Sequence, residues 1–163
     1  MAKYIPRQVP AATGDQFFYV SRAIDGDTLR LSDGEDVRLI GIDTPESRYN
    51  SKLARDSQRS RKDTDTILKM GREASGFTRR LVEGRRVKLV FDVQKHDKYG
   101  RLLAYVYLED GTFVNGRIIE EGYAQVMTIA PNVKHAQTFL KLEREARQKG
   151  SGLWKSAADK SLF

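Results

Sequence analysis

The chain contains no cysteine and only two histidines among its 163 residues. The first absence excludes disulfides, thiolate nucleophiles and cysteine metal sites, and leaves the redox compartment open. The second rules out a multi-histidine zinc centre within one chain, because His96 and His135 lie far apart. Long apolar runs are missing as well, so no segment reads as membrane-spanning. No basic-aromatic amphipathic helix supports a peripheral-membrane role. The first residues, MAKYIPRQVP, lack the apolar centre of a secretory signal. The compartment stays open, with secretion or a periplasmic location allowed if a leader has been removed. Dinucleotide and P-loop glycine motifs and internal repeats are absent too.

What is present is charge. Charged residues make up 31% of the chain, with 29 Lys and Arg against 22 Asp and Glu, a formal net charge of +7. That balance suits a polyanionic partner, nucleic acid or an acidic surface, although a solvated basic surface has the same composition. The length fits one domain with a real core. We expect a lead-in over 1–15, a single domain over 16–156, and a tail over 157–163.

Alternation predicts strands at 17–24, 27–32 and 36–42, separated by Asp-Gly turns. A polar, basic stretch follows at 47–66. Ile67, Met70, Ala74, Phe77 and Leu81 then recur at helical spacing, and Gly84 stops the helix. Strands are expected at 86–93 and 102–108, and helices at 116–121 and 135–148. Leu153 and Trp154 should pack back on the body. Five short strands with three helices point to an α+β protein built on an OB-fold barrel.

Three segments place polar residues where strands meet turns. IDGDT supplies Asp25 and Asp27. RLIGIDTPE supplies Arg38, Asp43, Thr44 and Glu46. DKYGR supplies Asp97, Lys98, Tyr99 and Arg101. Each motif alone is explained by turn formation or a structural ion pair; jointly they make a chemical set. Asp27 and Asp43, with the Thr44 carbonyl at the turn before Pro45, are the oxygen ligands a hard cation such as Ca²⁺ takes. Arg38 and Arg101 suit a bidentate clamp on phosphate, and Glu46 suits the orientation or deprotonation of water.

These segments, together with GREASGFTRRLVEGRRVKLVFD, DKYGRLLAYVY and the closing GLW, resemble the staphylococcal nuclease-like (thermonuclease) family in order and spacing over about residues 18–155. The resemblance implies an OB-fold barrel with three helices. It also implies Ca²⁺-dependent hydrolysis of DNA and RNA, cleaving on the 5′-oxygen side and leaving 3′-phosphates. On matching positions it implies Asp27, Asp43 and Thr44 as metal ligands, with Asp25 in an outer shell. Arg38, Glu46 and Arg101 would be catalytic, and Lys98 and Tyr99 would contact substrate. Single-stranded substrates and a monomeric state are expected. The alternative is a non-catalytic nucleic-acid-binding module on the same fold, which has no need of Asp27, Asp43, Glu46 and both arginines together.

Two departures from the family stand out. MTIAP, read with Thr128 and Ala130, replaces a loop that carries two tyrosines in the family's best-known member. The stretch after Glu46 is also longer. Within it Arg48, Lys52, Arg55, Arg59 and Lys62 are spaced alternately by four and three, which on a helix makes one basic stripe able to track a nucleic-acid backbone. The alternative is a solvated loop.

Overall fold

A computed structural model describes residues 16–60, 63–156 and 162–163. The expected lead-in over 1–15, most of the tail over 157–163, and Lys62 lie outside these residues.

Five strands close a barrel in the order β1-β2-β3-β6-β5. They are β1 (Phe18–Asp25), β2 (Thr28–Leu31), β3 (Asp36–Leu39), β5 (Arg86–Val90) and β6 (Leu102–Leu108). Inward positions alternate along β1 and β3, whereas β6 is buried continuously from Ala104 to Leu108. Val20, Leu29, Val37, Val87, Ala104 and Val106 are 0–1% exposed. Closure comes from a parallel pairing of β3 with β6, in which Arg38 faces Leu103. Arg101 is two residues before Leu103 and so points to the same side. Thr28 pairs with Arg38 across β2 and β3, which sets Asp27 next to the arginine.

The expected third strand is broken. β3 ends at Leu39, and β4 (Gly41–Asp43) leaves the barrel to pair with β7 (Gln125–Met127), a strand the sequence pattern did not suggest. Gly41 makes the break: its φ is +83°, and an added Cβ would fall on the Phe139 ring, 2.6 Å from Cδ2. A side chain there meets both a disfavoured backbone region and an aromatic wall. Asn115, fully buried at the start of α3 (Val114–Glu120), spans the gap. Its amide donates to the Ile40 carbonyl at 2.9 Å and accepts from Val106 N–H at 2.9 Å.

Among the described residues there are four α-helices, one more than expected. The additional one, α1 (Ser51–Ser60), lies within the polar stretch and is followed by α2 (Thr64–Val82); α4 spans Ala136–Lys149. Asp63 caps α2, accepting from Thr66 N–H at 2.7 Å. A second apolar cluster lies beside the barrel core. It gathers Leu53 of α1 with Ile67, Leu68 and Ala74 of α2, Ala146 of α4, Leu153 and Trp154, and the pair Leu162 and Phe163. Leu153 and Trp154 therefore do pack back on the body. His96 is exposed as a surface residue. His135 is half-buried, edge-on to Tyr105 with ring centroids 4.4 Å apart.

Candidate active site

One cleft of about 710 Å³ at the barrel mouth is lined by Asp25, Asp27, Arg38, Asp43, Glu46, Lys98, Tyr99 and Arg101. The three turn segments singled out in the sequence therefore converge on one surface. Thr44 lies behind the wall at 1% exposure, so the turn before Pro45 buries this residue rather than opening it.

The IDGDT turn and the β4 segment interlock. Asp27 Oδ2 accepts from Thr44 N–H at 3.0 Å, and Asp27 Oδ1 accepts from the Thr28 hydroxyl at 3.0 Å. Thr78 of α2, fully buried, donates its hydroxyl to the Gly26 carbonyl at 2.7 Å. Ser47 donates to Asp25 Oδ1 at 2.6 Å. Backbone and side-chain bonds thus hold both acidic turns before any ligand arrives.

Arg38 bridges the two buried carboxylates. Its Nη2 is 3.4 Å from Asp27 Oδ2 and 3.5 Å from Asp43 Oδ1, and its Nη1 donates to the Leu39 carbonyl at 2.8 Å. The arginine pairs with Asp27 and Asp43, and not with Glu46. The two aspartates feel different fields. Burial acts to raise the Asp27 carboxyl, but Arg38 and the Thr44 and Thr28 hydrogen bonds outweigh it and bring it below the usual range. Asp43 is pushed up to about 6, first by burial and then by the neighbouring Asp27 charge, with Lys52 and Arg38 offsetting only part. Among the described residues, the buried Asp43 Oδ1 accepts no hydrogen bond; Arg38 and Lys52 face it as ion pairs at 3.5 Å. Burial also raises Asp25.

On the opposite wall, Arg101 is held by Asp97, whose Oδ2 accepts from Arg101 Nε at 2.7 Å while Oδ1 accepts from the Tyr99 and Arg101 amides. Asp97 stood in the sequence motif without a role; its place is to fix this guanidinium. Tyr99 is 72% exposed, not core, and carries Arg101 at 5.4 Å and Lys98 at 5.1 Å from its ring centroid. The MTIAP segment needs correcting. Met127 and Ile129 line the cleft, whereas Thr128 and Ala130 do not. Strand alternation explains the swap, since β7 runs to Met127 and puts every second residue on one face.

The residues that sequence reasoning missed come from the inserted helix. Lys52 Nζ lies 2.8 Å from Asp56 Oδ2, 3.4 Å from Glu46 Oε1 and 3.5 Å from Asp43 Oδ1. Asn50 Nδ2 donates to Glu46 Oε2 at 2.8 Å. The only sequence signal was the i,i+4 spacing of Lys52 and Asp56. The expected basic stripe is not formed as drawn: Arg48 precedes the helix, Lys52 turns inward, and Arg55 is exposed at the cleft edge. The side chain of Arg59 lies outside the described set.

Among the described residues, no group of three or more His, Asp or Glu gathers as a metal site. The donor set still fits a hard cation with few protein ligands. Two buried carboxylates face one cleft, and one has an oxygen that accepts no hydrogen bond and a carboxyl that burial leaves poorly compensated.

A closed OB-type barrel whose mouth gathers carboxylates and arginines defines an OB-fold nuclease rather than a plain binding barrel. The family model described as staphylococcal nuclease homologue matches residues 36–156. The thermonuclease of Staphylococcus intermedius is 37% identical over 140 residues, covering 84% of this chain and 75% of that protein. The thermonuclease of Staphylococcus hyicus is 34% identical over 143 residues, covering 86% and 76%. The SPbeta prophage-derived endonuclease YokF of Bacillus subtilis is 35% identical over 140 residues, covering 83% of this chain and 43% of its own. The chain belongs to the staphylococcal nuclease homologue family.

Proposed function

We propose that the protein is a Ca²⁺-dependent phosphodiesterase that hydrolyses DNA and RNA, single strands preferentially, on the 5′-oxygen side to leave 3′-phosphates. The observation that carries the reading is the Arg38 bridge between Asp27 and Asp43 in the same cleft as Arg101. A binding module has no use for paired buried carboxylates, which cost desolvation energy and repel the ligand's phosphates.

In this reading Asp27 and Asp43 would hold the ion from the cleft, with the carbonyl of Thr44, the residue buried behind them, as a further oxygen ligand; the ion would supply charge that polarises the phosphate and favours ionised water. Arg38 gives up part of its carboxylate pairing to take a phosphate oxygen. Arg101, already oriented by Asp97, approaches from the other wall, so two guanidinium forks face charge that grows in the transition state. Glu46 has both oxygens held, by Asn50 and Lys52, and is the group that orients or deprotonates the attacking water. Lys98 and Tyr99, exposed at the rim, contact substrate phosphate or sugar. The working unit is a monomeric single domain over 16–156 acting without a membrane.

The test is cleavage of single-stranded DNA and RNA with Ca²⁺ and with a chelator, followed by analysis of product ends. Ca²⁺-dependent products carrying 3′-phosphates are expected. Cleavage that resists chelation, or products with 5′-phosphates, refutes the mechanism.

A further inference from the structure

Helix α1 places one cation among the site's carboxylates. Leu53, 1% exposed, fixes the helix in the second apolar cluster. Asn50 accepts from Leu53 N–H at 2.8 Å, starting the helix, and donates to Glu46 from the same side chain. The adjacent Lys52 is thereby aimed into the cleft. Asp56, one turn on and 1% exposed, holds its ammonium at 2.8 Å. The same ammonium lies over the Phe163 ring, 5.0 Å from its centroid. From that position the ammonium meets Glu46 and Asp43 at 3.4 and 3.5 Å. Asp43 Oδ1 therefore faces two fixed cations, Arg38 and Lys52, each at 3.5 Å.

A freely solvated lysine would adjust to an incoming ion by swinging away. Lys52 has less freedom to do so: its partner Asp56 is buried, and only 30% of its side chain is exposed. We propose that Lys52 is a built-in cation of the active site, a positioning residue that shares Asp43 and Glu46 with the divalent ion and sets the ion's affinity below what the carboxylates alone would give. The inference rests on the metal-dependent reading above. It assigns to the inserted helix the tuning of metal binding rather than the tracking of a nucleic-acid backbone.

The experiment is calorimetric titration of Ca²⁺ alone into the full chain, without nucleic acid, for the unaltered protein and for Lys52→Met, Lys52→Gln and Lys52→Arg. Removing a unit charge beside a ligating carboxylate should tighten Ca²⁺ binding by about 10-fold or more in the Met and Gln variants. The Arg variant, which keeps the charge, should stay near the unaltered value. The Ca²⁺ concentration for half-maximal cleavage should fall by the same factor in the Met and Gln variants. Thermal melting with chelator establishes that each variant folds, and Gln decides if Met does not. Equal or weaker Ca²⁺ binding in a folded, charge-removed variant overturns the inference while leaving the nuclease reading intact. If neither the unaltered protein nor the variants take up Ca²⁺, the metal reading and the inference fall together. Uptake by the variants alone supports the inference.

Discussion

Gly71 offers a direct test of how tightly α2 backs the active site. The residue lies inside a long helix, where glycine costs about 1 kcal/mol relative to alanine. The structure explains why that cost is tolerated. A Cβ built at Gly71 would fall on the Glu46 carbonyl and lie 2.7 Å from Ser47 N. Ordinary contact begins near 3.4 Å, so in Gly71→Ala either the helix or the Glu46–Ser47 backbone must retreat. The helix is held by Ile67 and Ala74, both fully buried, and by the Thr78 bond to Gly26. The loop therefore yields, and Glu46 moves by on the order of 1 Å, a displacement that costs about 100-fold in rate. Stability changes little, because the helix gains about 1 kcal/mol and overpacking costs about 1–3 kcal/mol. At about 2–4 °C per kcal/mol, Tm falls by no more than about 8 °C. Gly76→Ala is the matched control in the same helix. Its Cβ meets only Arg80 Nη1, the end of a flexible side chain, at 3.3 Å. That variant should melt about 2–4 °C higher with unchanged activity. Initial rates on single-stranded DNA with Ca²⁺, paired with thermal melts, compare the two. If Gly71→Ala is stabilised and fully active like the control, the close approach is wrong and α2 does not position Glu46.

Arg38→Lys keeps the charge but loses the fork that bridges Asp27 and Asp43, and should lower kcat by about 100-fold; steady-state rates that match the unaltered protein remove Arg38 from the clamp. His135 gives a pH test of stability. Burial first, then Lys134, lowers its pKa from the ordinary value, with Asp92 opposing, so the folded state favours the neutral ring. Stability from this residue is complete above the ordinary histidine pKa of about 6.5. It declines as pH falls through that value, because the unfolded chain protonates first, and levels off below the lowered folded value. Denaturant midpoints at pH 7.5 and pH 5.5 should differ less in His135→Asn than in the unaltered protein, and an equal difference refutes the assignment.

The barrel was legible because its signals are local. Alternation in β1, β2 and β5, the continuous apolar run of β6 and the Asp-Gly turns need no knowledge of distant partners. Asp27, Arg38, Asp43, Glu46 and Arg101 were legible as a set because each stands where a strand ends, and the barrel brings those ends together. The miss at β4 and β7 has a physical reason. Their three-residue strands are too short to alternate, and the break rests on Gly41 fitting under Phe139, a contact across about a hundred residues of chain. The Thr128 and Ala130 reading failed for a related reason. Counting back from Pro131 gives order but not facing, and facing is decided by pairing with β4.

The inserted helix shows what sequence periodicity alone could not deliver. Ten residues with a single large apolar side chain, Leu53, do not make a stable helix in water. What holds α1 is a surface assembled from α2, α4, the Leu153–Trp154 turn and the terminal Leu162–Phe163 pair. None of these is adjacent in sequence to α1 except α2. Leu162 is tied in by its N–H, which donates at 2.6 Å to Oε1 of Gln125, the residue that pairs with Asp43. The same apolar contact that orders the helix therefore decides where its polar side chains go. With Leu53 turned inward, Lys52 faces the carboxylates of the cleft, and Asp56, one turn further on, becomes its buried partner. A stripe of basic residues read as an exposed arm treats every lysine as a surface charge. Once one face of the helix is buried, burial divides those charges between the solvent and the site, and the lysine closest to the buried face is the one that enters the chemistry.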